Sequence, residues 1–385
     1  MTITEAPPVA VPGPGRHPRH LPSRPGTVLW GWLPGARDRP VLLAESGETL
    51  TVDTVSHEGL LGEQGRDPAA FFGRHHIPAD RVPADHHALA ASDLTHDPVV
   101  DGPHVITGPI AVAGARPGDV LAVHLLDLAP RTGYGVLTER HGRGRGTPPV
   151  TVCPIRDGLA RIPTPAGELT LPLRPSLAVL GVATPDGLRR LSTRAGSHGG
   201  NLDLPFLGAG TTLHLPVRTA GALLHLGGPR LAHGRGAALE GPLKVTLRVE
   251  VIPYAQVRTR FGNLRHPFAS TADTLIPLGI AADPALALRR CTAQGEELLV
   301  AGHGLTRDQA RTYLGATAEF GVGRTGAHAR VPLPGRRAVP PARRPVPGPA
   351  AWAVPTGDIE RLGAPPAAIA FRDEHFLGDR SGRRA

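Results

Sequence analysis

Residues 196–241 gather the polar groups best suited to chemistry. His198, Asn201 and Asp203 share one glycine-rich turn, Ser197-His-Gly-Gly-Asn-Leu-Asp203. Further along, a glycine-punctuated loop from Gly227 to Gly241 carries Arg230, His233 and Arg235, and His104 stands ahead of an earlier apolar run. An Asp–His pair can act as a general base, and Asn201 or backbone N–H groups can stabilise an oxyanion. Arginine can hold a carboxylate, enolate or phosphate bidentately. Each residue also has a plainer reading. Asn201 and Asp203 suit Asx-turns, His104 suits a backbone hydrogen bond, and the arginines suit solvent. His225, inside an apolar run, reads as core or edge rather than catalytic. Cys153, in Val-Cys-Pro, reads as a small buried hydrophobe. Gly-Arg-Gly-Arg-Gly at 142–146 does not follow a strand and open a helix, as a dinucleotide loop must.

Short strands must position these groups. Residues 40–54 read as strand, Ser-Gly turn and strand. Residues 105–110 and 120–125 read as strands around a Pro-Gly turn. More strands are expected over 150–183, 213–217 and 222–226. Residues 243–252 alternate Leu243, Val245, Leu247, Val249 and Val251 against polar neighbours, the pattern of a half-buried strand. Convincing helices come late. Asp283-Pro284 offers an N-cap and first-turn proline for a helix to about Ala301, ending at Gly302. Thr306 and Gln309 form a capping-box pattern for a second, to about Phe320. Residues 56–98 hold six of the 19 histidines, including His75-His76 and His86-His87, and read as a solvated surface loop. Adjacent side chains diverge, so neither pair chelates by itself.

The chain has 385 residues, enough for one large or two medium domains. With 49 glycines and 43 prolines, many short strands and turns are favoured over long helices. The net charge of +9 is almost all arginine, placed at both ends and over 139–146 without interleaved aromatics. That pattern argues against nucleic-acid binding. Two distant cysteines make neither a metal pair nor a disulfide framework. No apolar run approaches a membrane span, and the N-terminus lacks the apolar core of a secretory signal, so a soluble cytoplasmic protein without membrane contact is expected. Residues 1–26 and 331–385, rich in proline and arginine, read as a disordered leader and an extended tail flanking a unit over 27–330. That unit could divide into subdomains near 27–150 and 151–330.

Several segments together resemble the acetamidase/formamidase family over roughly residues 40–330. They are SGETLTVDT, HVITGPIAVAGARPGDVL, HGGNLD, GTTLHLPVRTAGALLHLGG, TRDQARTYL and AEFGVGR. The resemblance implies a mainly β protein, a jelly-roll-like sandwich with α/β additions and the late helix pair. It also implies small-amide hydrolysis, usually metal-assisted, in a homodimer or higher homo-oligomer. On this basis His104, His198, Asn201 and Asp203 match the family's catalytic positions. The later loop departs from the family. Where the family has Gly-Asp-x-His and then Gln-Gly-Asp-Gly-Glu, this chain has Gly228 and Arg230, then His233, Arg235 and Ala237. Guanidinium groups cannot ligate a metal and disfavour a nearby cation, so the family's metal site is expected to be absent or weakened. No cofactor is expected beyond a residual divalent ion such as zinc, which Glu240 could help hold only if the loop is re-registered. Arg230, His233 and Arg235 then become candidates for binding a small-molecule substrate. Three functions stay open: hydrolysis of an amide-type C–N bond; a repurposed non-hydrolytic cyclisation, rearrangement or elimination in specialised metabolism; and a small-molecule-binding scaffold.

Overall fold

The computed structural model describes residues 18–138, 150–233 and 238–334. Its plan follows from alternating apolar residues that form strands too long to stand alone. Leu243–Ile252 buries Leu243, Val245, Leu247 and Val249 on one face and presents Lys244, Thr246 and Arg248 on the other. It pairs with Val120–Pro130 along its whole length and with Thr49–Asp53 on its other edge. These strands lie in a nine-stranded sheet running from Arg19–Leu21 at one edge to Glu319–Val322 at the other. A second, twelve-stranded sheet is built on Leu224–His233, which lies between Ser176–Gly181 and Ala238–Glu240 and also pairs with Val105–Val112. One apolar core joins the two. Leu50, Val52, Leu121, Val123, Leu213 and Val245 of the first sheet meet Ile110, Leu177, Leu180, Leu224 and Leu239 of the second. The protein is therefore mainly β, a two-sheet sandwich.

Five α-helices are described: α1 (Pro68–Gly73), α2 (Ala84–Ala90), α3 (Tyr254–Phe261), α4 (Pro284–His303) and α5 (Arg307–Thr317). The late pair starts at the expected caps. The Asp283 carboxylate accepts from the N–H groups of Ala285 and Leu286 at 3.0 and 3.2 Å. Thr306 and Gln309 exchange their two hydrogen bonds. α4 runs past Gly302 and stops at Gly304, which takes the left-handed conformation. α5 ends at Thr317, short of Phe320, because Glu319–Val322 pairs as an edge strand with Gly326–Pro332. α4 lies so close to the strand Thr274–Ile280 that a Cβ at Gly279 would stand 1.9 Å from the Ala287 carbonyl.

Three expectations are corrected, and one is met in an unexpected way. Order begins before Thr27: Arg19–Leu21 pairs in parallel with Thr49–Asp53, because Leu21 is drawn into the core. Residues 40–54 form the two expected strands, but these do not pair with each other. Leu42–Ala44 joins the twelve-stranded sheet and Thr49–Asp53 the nine-stranded one. Residues 56–61 are not solvated: Ser56, His57, Glu58, Leu60 and Leu61 are buried, and two short helices follow. Gly227–Gly241 is largely strand, not loop, since Leu224–His233 folds back on Ala238–Glu240. At the C-terminal end, Val331 and Pro332 close the strand Gly326–Pro332. Residues 1–17 and 335–385, which hold most of the expected leader and tail, lie outside the described residues.

Candidate functional site

The hairpin between the strands Leu224–His233 and Ala238–Glu240 sets the geometry. Arg230 faces Glu240 across the pair, and a register shift follows at Ala232. Arg230 is 3% exposed. Its Nη1 donates to Glu240 Oε1 at 2.6 Å and its Nη2 to Asp203 Oδ1 at 3.1 Å. Burial opposes the Arg230 charge, but Glu240 and Asp203 outweigh it and raise the guanidinium's pKa further. Asp203 reaches this place because its N–H binds the Ala178 carbonyl and its backbone adopts a positive φ of 49°.

The other side of Glu240 meets the segment that follows Thr49–Asp53. Glu240 Oε2 lies 3.4 Å from His57 Nδ1, and His57 Nε2 lies 3.5 Å from Glu58 Oε1. The short helical turn Gly62–Gln64 fixes Glu58. Gln64 donates to Glu58 Oε2 at 2.7 Å and accepts from the Gly59 N–H at 2.6 Å. The His57 ring packs edge-on against His104, with centroids 5.5 Å apart, and His104 Nδ1 is 3.1 Å from Ser192 Oγ. A small cavity lined by Ser56, Phe72, His86, Tyr134 and Val136 touches Glu240 from the apolar side. On the more open side, His233 Nε2 stands 3.5 Å from Asp203 Oδ1. Burial lowers the His233 pKa, with Asp203 opposing and Arg230 adding to the effect.

The expected residues therefore divide. His104, Asp203, Arg230 and His233 come together around His57 and Glu240. His198 does not join them. It lies near His225, which sits five positions before Arg230 on the same strand, roughly 16 Å at the ordinary rise. Burial, then Arg190, pushes His198 down to about 4, with Asp186 opposing. Burial pushes His225 down to about 3, with His198 adding to it. These are two neutral imidazoles of the sandwich interior. Asn201 pairs with Val179 in a short strand, and its buried Oδ1 makes no hydrogen bond. Arg235 lies outside the described residues. Arg230 spends both terminal nitrogens on carboxylates, so it orients Asp203 and Glu240 instead of reaching for substrate. Cys153 is buried in the core and its thiol is pushed up to about 11 by burial, which leaves it a packing group.

His57 and Glu58 were missed from sequence, as was the place of Glu240. The available signal was a His-Glu pair between Val55 and Leu60-Leu61, apolar enough to be drawn inside. His57, Glu58 and Glu240 can bring one donor atom each within 4.8 Å of the others, the one such group among the described residues. His57 Nδ1 is buried and makes no hydrogen bond. Its 3.4 Å separation from Glu240 Oε2 is near the edge of a tetrahedron with metal–ligand bonds of about 2.1 Å. Arg230 is shared by two carboxylates, Asp203 and Glu240. His57, Glu58 and Glu240 lie close enough to share a divalent cation, with His57 Nδ1 and Glu240 as the better-placed pair, since His57 turns its other nitrogen to Glu58. Of the two loop arginines set against a cation, Arg230 is thus paired, and Arg235 lies outside the described residues.

No family model matches the sequence, and no curated protein does. Solved structures do. An acetamidase from Bacillus halodurans aligns at 23% identity over 82% of this chain and 97% of its own, with a TM-score of 0.59. The fold is the acetamidase fold. An acetamidase from Yersinia enterocolitica aligns at 22% identity over 83% of this chain and 93% of its own, with a TM-score of 0.63. A predicted acetamidase/formamidase from Thermoanaerobacter tengcongensis gives 23%, 82%, 96% and 0.61 in the same order. Both sheets of the acetamidase fold contribute to the cluster. Asp53 closes a strand of one sheet shortly before His57, and Glu240 closes a strand of the other.

Proposed function

We propose that the protein hydrolyses the C–N bond of a small amide at the Asp203–His233 edge of the buried cluster. One observation carries this reading. Within an acetamidase fold, carboxylates, imidazoles and a guanidinium from distant parts of the chain are brought together in one cluster. Burial keeps His233 neutral near pH 7, as a base must be. Its Nδ1 is buried away from solvent, so Nε2, 3.5 Å from Asp203 on the more open side, is the nitrogen that can reach a water. As water oxygen bonds to the amide carbon, Nε2 takes the water proton, and Asp203 steadies the imidazolium that forms. As the C–N bond breaks, it returns that proton to the departing nitrogen, and a carboxylic acid and an amine leave. Arg230 holds Asp203 and Glu240 in register and touches neither reacting atom. His57, Glu58 and Glu240 are the residues that would hold a divalent ion, and such an ion supplies carbonyl polarisation and a more acidic water.

The test is ammonia release from formamide, acetamide and larger primary amides, with metal content measured on the same preparations. Wild type turns over at least one of them. Asp203→Asn and His233→Gln lower that rate by about 100-fold or more. Turnover unchanged in both variants removes this edge from the chemistry, and failure on every amide refutes the hydrolytic reading. Bound divalent metal that is lost in His57→Gln supports the donor set, and metal retained in that variant refutes it.

A further inference from the structure

A second polar site lies in the helical layer over the nine-stranded sheet. Residues 262–267 link α3 to the strand Phe268–Ser270 and are fastened to α4. Gln294 donates to the carbonyls of His266 and Pro267 at 2.9 and 3.1 Å, and accepts from the Leu278 N–H at 2.7 Å. Glu297 accepts from the Asn263 N–H at 2.6 Å. Between this linker and α4 opens a cavity of about 210 Å³, with Arg265, His266 and Arg290 on its walls. Arg218 reaches the same linker from the end of the strand Thr212–Pro216 and donates to the Arg265 carbonyl at 2.6 Å.

The charges here are unbalanced. None of the ion pairs among the described residues includes Arg218, Arg265 or Arg290. Glu297 is the single acid on the walls, and one of its oxygens is already committed to Asn263. Two buried nitrogens, Arg218 Nε and His266 Nδ1, have no hydrogen-bond partner. His266 is held below its ordinary basicity by burial and then by Arg290, Arg218 and Arg265. Three guanidinium groups from three separate chain segments therefore bear on one imidazole. Arg265 and Arg290 are exposed at the cavity, where Arg290 also donates to the Ile280 carbonyl at 2.6 Å, and Arg218 stands behind the linker. Cations gathered in this way suit an anion with several acceptor oxygens.

We propose that this cavity binds the phosphate group of a small phosphomonoester, gripped by Arg265 and Arg290 and backed by Arg218 and His266. Phosphate fits better than a single carboxylate. It carries close to two negative charges at neutral pH and offers three oxygens to donors arriving from different directions. The proposal is independent of the amidase reading, since none of its residues belongs to the Arg230 cluster.

Calorimetric titration of the full chain at constant ionic strength tests it, with inorganic phosphate, glycerol 2-phosphate, citrate and acetate as probes. Phosphate and the phosphomonoester bind saturably with dissociation constants below about 1 mM, and acetate does not. Arg265→Ala and Arg290→Ala each weaken binding by about 10-fold or more. Arg189→Ala, which breaks an exposed pair with Asp38 elsewhere, leaves it unchanged. Absence of saturable phosphate binding overturns the proposal, and so does equal affinity in wild type and both cavity variants. Tighter binding of citrate than of either phosphate overturns the choice of ligand. If a variant fails to fold, the His266 ring resonance of wild type, assigned with His266→Gln, decides: it shifts with added phosphate if the site is real and stays put if it is not.

Discussion

Replacing Arg230 by methionine tests the electrostatic account of the buried cluster. Methionine keeps much of the side-chain volume and removes both hydrogen bonds, at 2.6 Å to Glu240 and 3.1 Å to Asp203. Breaking a buried ion pair from one side costs about 3–5 kcal/mol, because the remaining charge stays desolvated. The Asp203 side chain is 12% exposed and rehydrates more readily, whereas that of Glu240 is 5% exposed. The loss is therefore concentrated at Glu240, and about 3 kcal/mol is expected, a large part of the roughly 5–15 kcal/mol that holds a folded protein together. Urea unfolding at pH 7.5 measures the deficit. The double variant with Glu240→Gln should lose less than the two single losses added together. A deficit under about 1 kcal/mol, or losses that simply add in the double variant, refutes the reasoning.

Two further outcomes follow. Burial holds His198 at about 4 and His214 and His225 at about 3, each below an ordinary 6.5. Their stabilising effect is fully present above pH 6.5 and is lost as pH falls towards those folded values, because the unfolded chain takes up their protons first. The slope is about 1.4 kcal/mol per pH unit for each histidine. Acid titration of unfolding, with imidazole NMR, checks this; charged His225 in folded protein at pH 5 would contradict it. Gly181→Ala should abolish or severely impair folding, seen as lost soluble yield or a lowered melting temperature. Its Cβ would lie 2.5 Å from the Gly200 nitrogen and 2.7 Å from the His198 carbonyl oxygen, both backbone atoms. A melting temperature like that of wild type would show that these strands separate easily.

The alternation from Leu243 to Val251 and the Asp283 and Thr306 caps were legible because they are local: each depends on neighbours a few residues away. Pairing was not. The strands Leu42–Ala44 and Thr49–Asp53 have the pattern of a hairpin, yet each finds its partners far along the chain, in different sheets. His57, Glu58 and Gln64 look like surface residues because their own polarity outweighs the weak signal of Val55 and Leu60-Leu61 beside them. Their burial depends on partners that include Glu240, 183 positions beyond His57. Glu240 itself was seen, but its distance from Arg230 depends on the register shift at Ala232, which no spacing rule reveals. The turn around His198 and Asp203 was read as one site. The structure separates the two, because the short strand Gly199–Asn201 carries the chain from the His225 end of the sheet towards the Arg230 end.

Glu240 closes a strand of the twelve-stranded sheet, and Leu243 opens one in the nine-stranded sheet. Asp53 likewise leaves the nine-stranded sheet just before His57 and Glu58. The acids and imidazole thus sit on the stitches between the two halves of the sandwich. Any slippage of one layer across the other must pull His57 away from Glu240. The integrity of the cluster and the docking of the layers are therefore a single cooperative property, and neither layer expressed alone can keep the cluster whole.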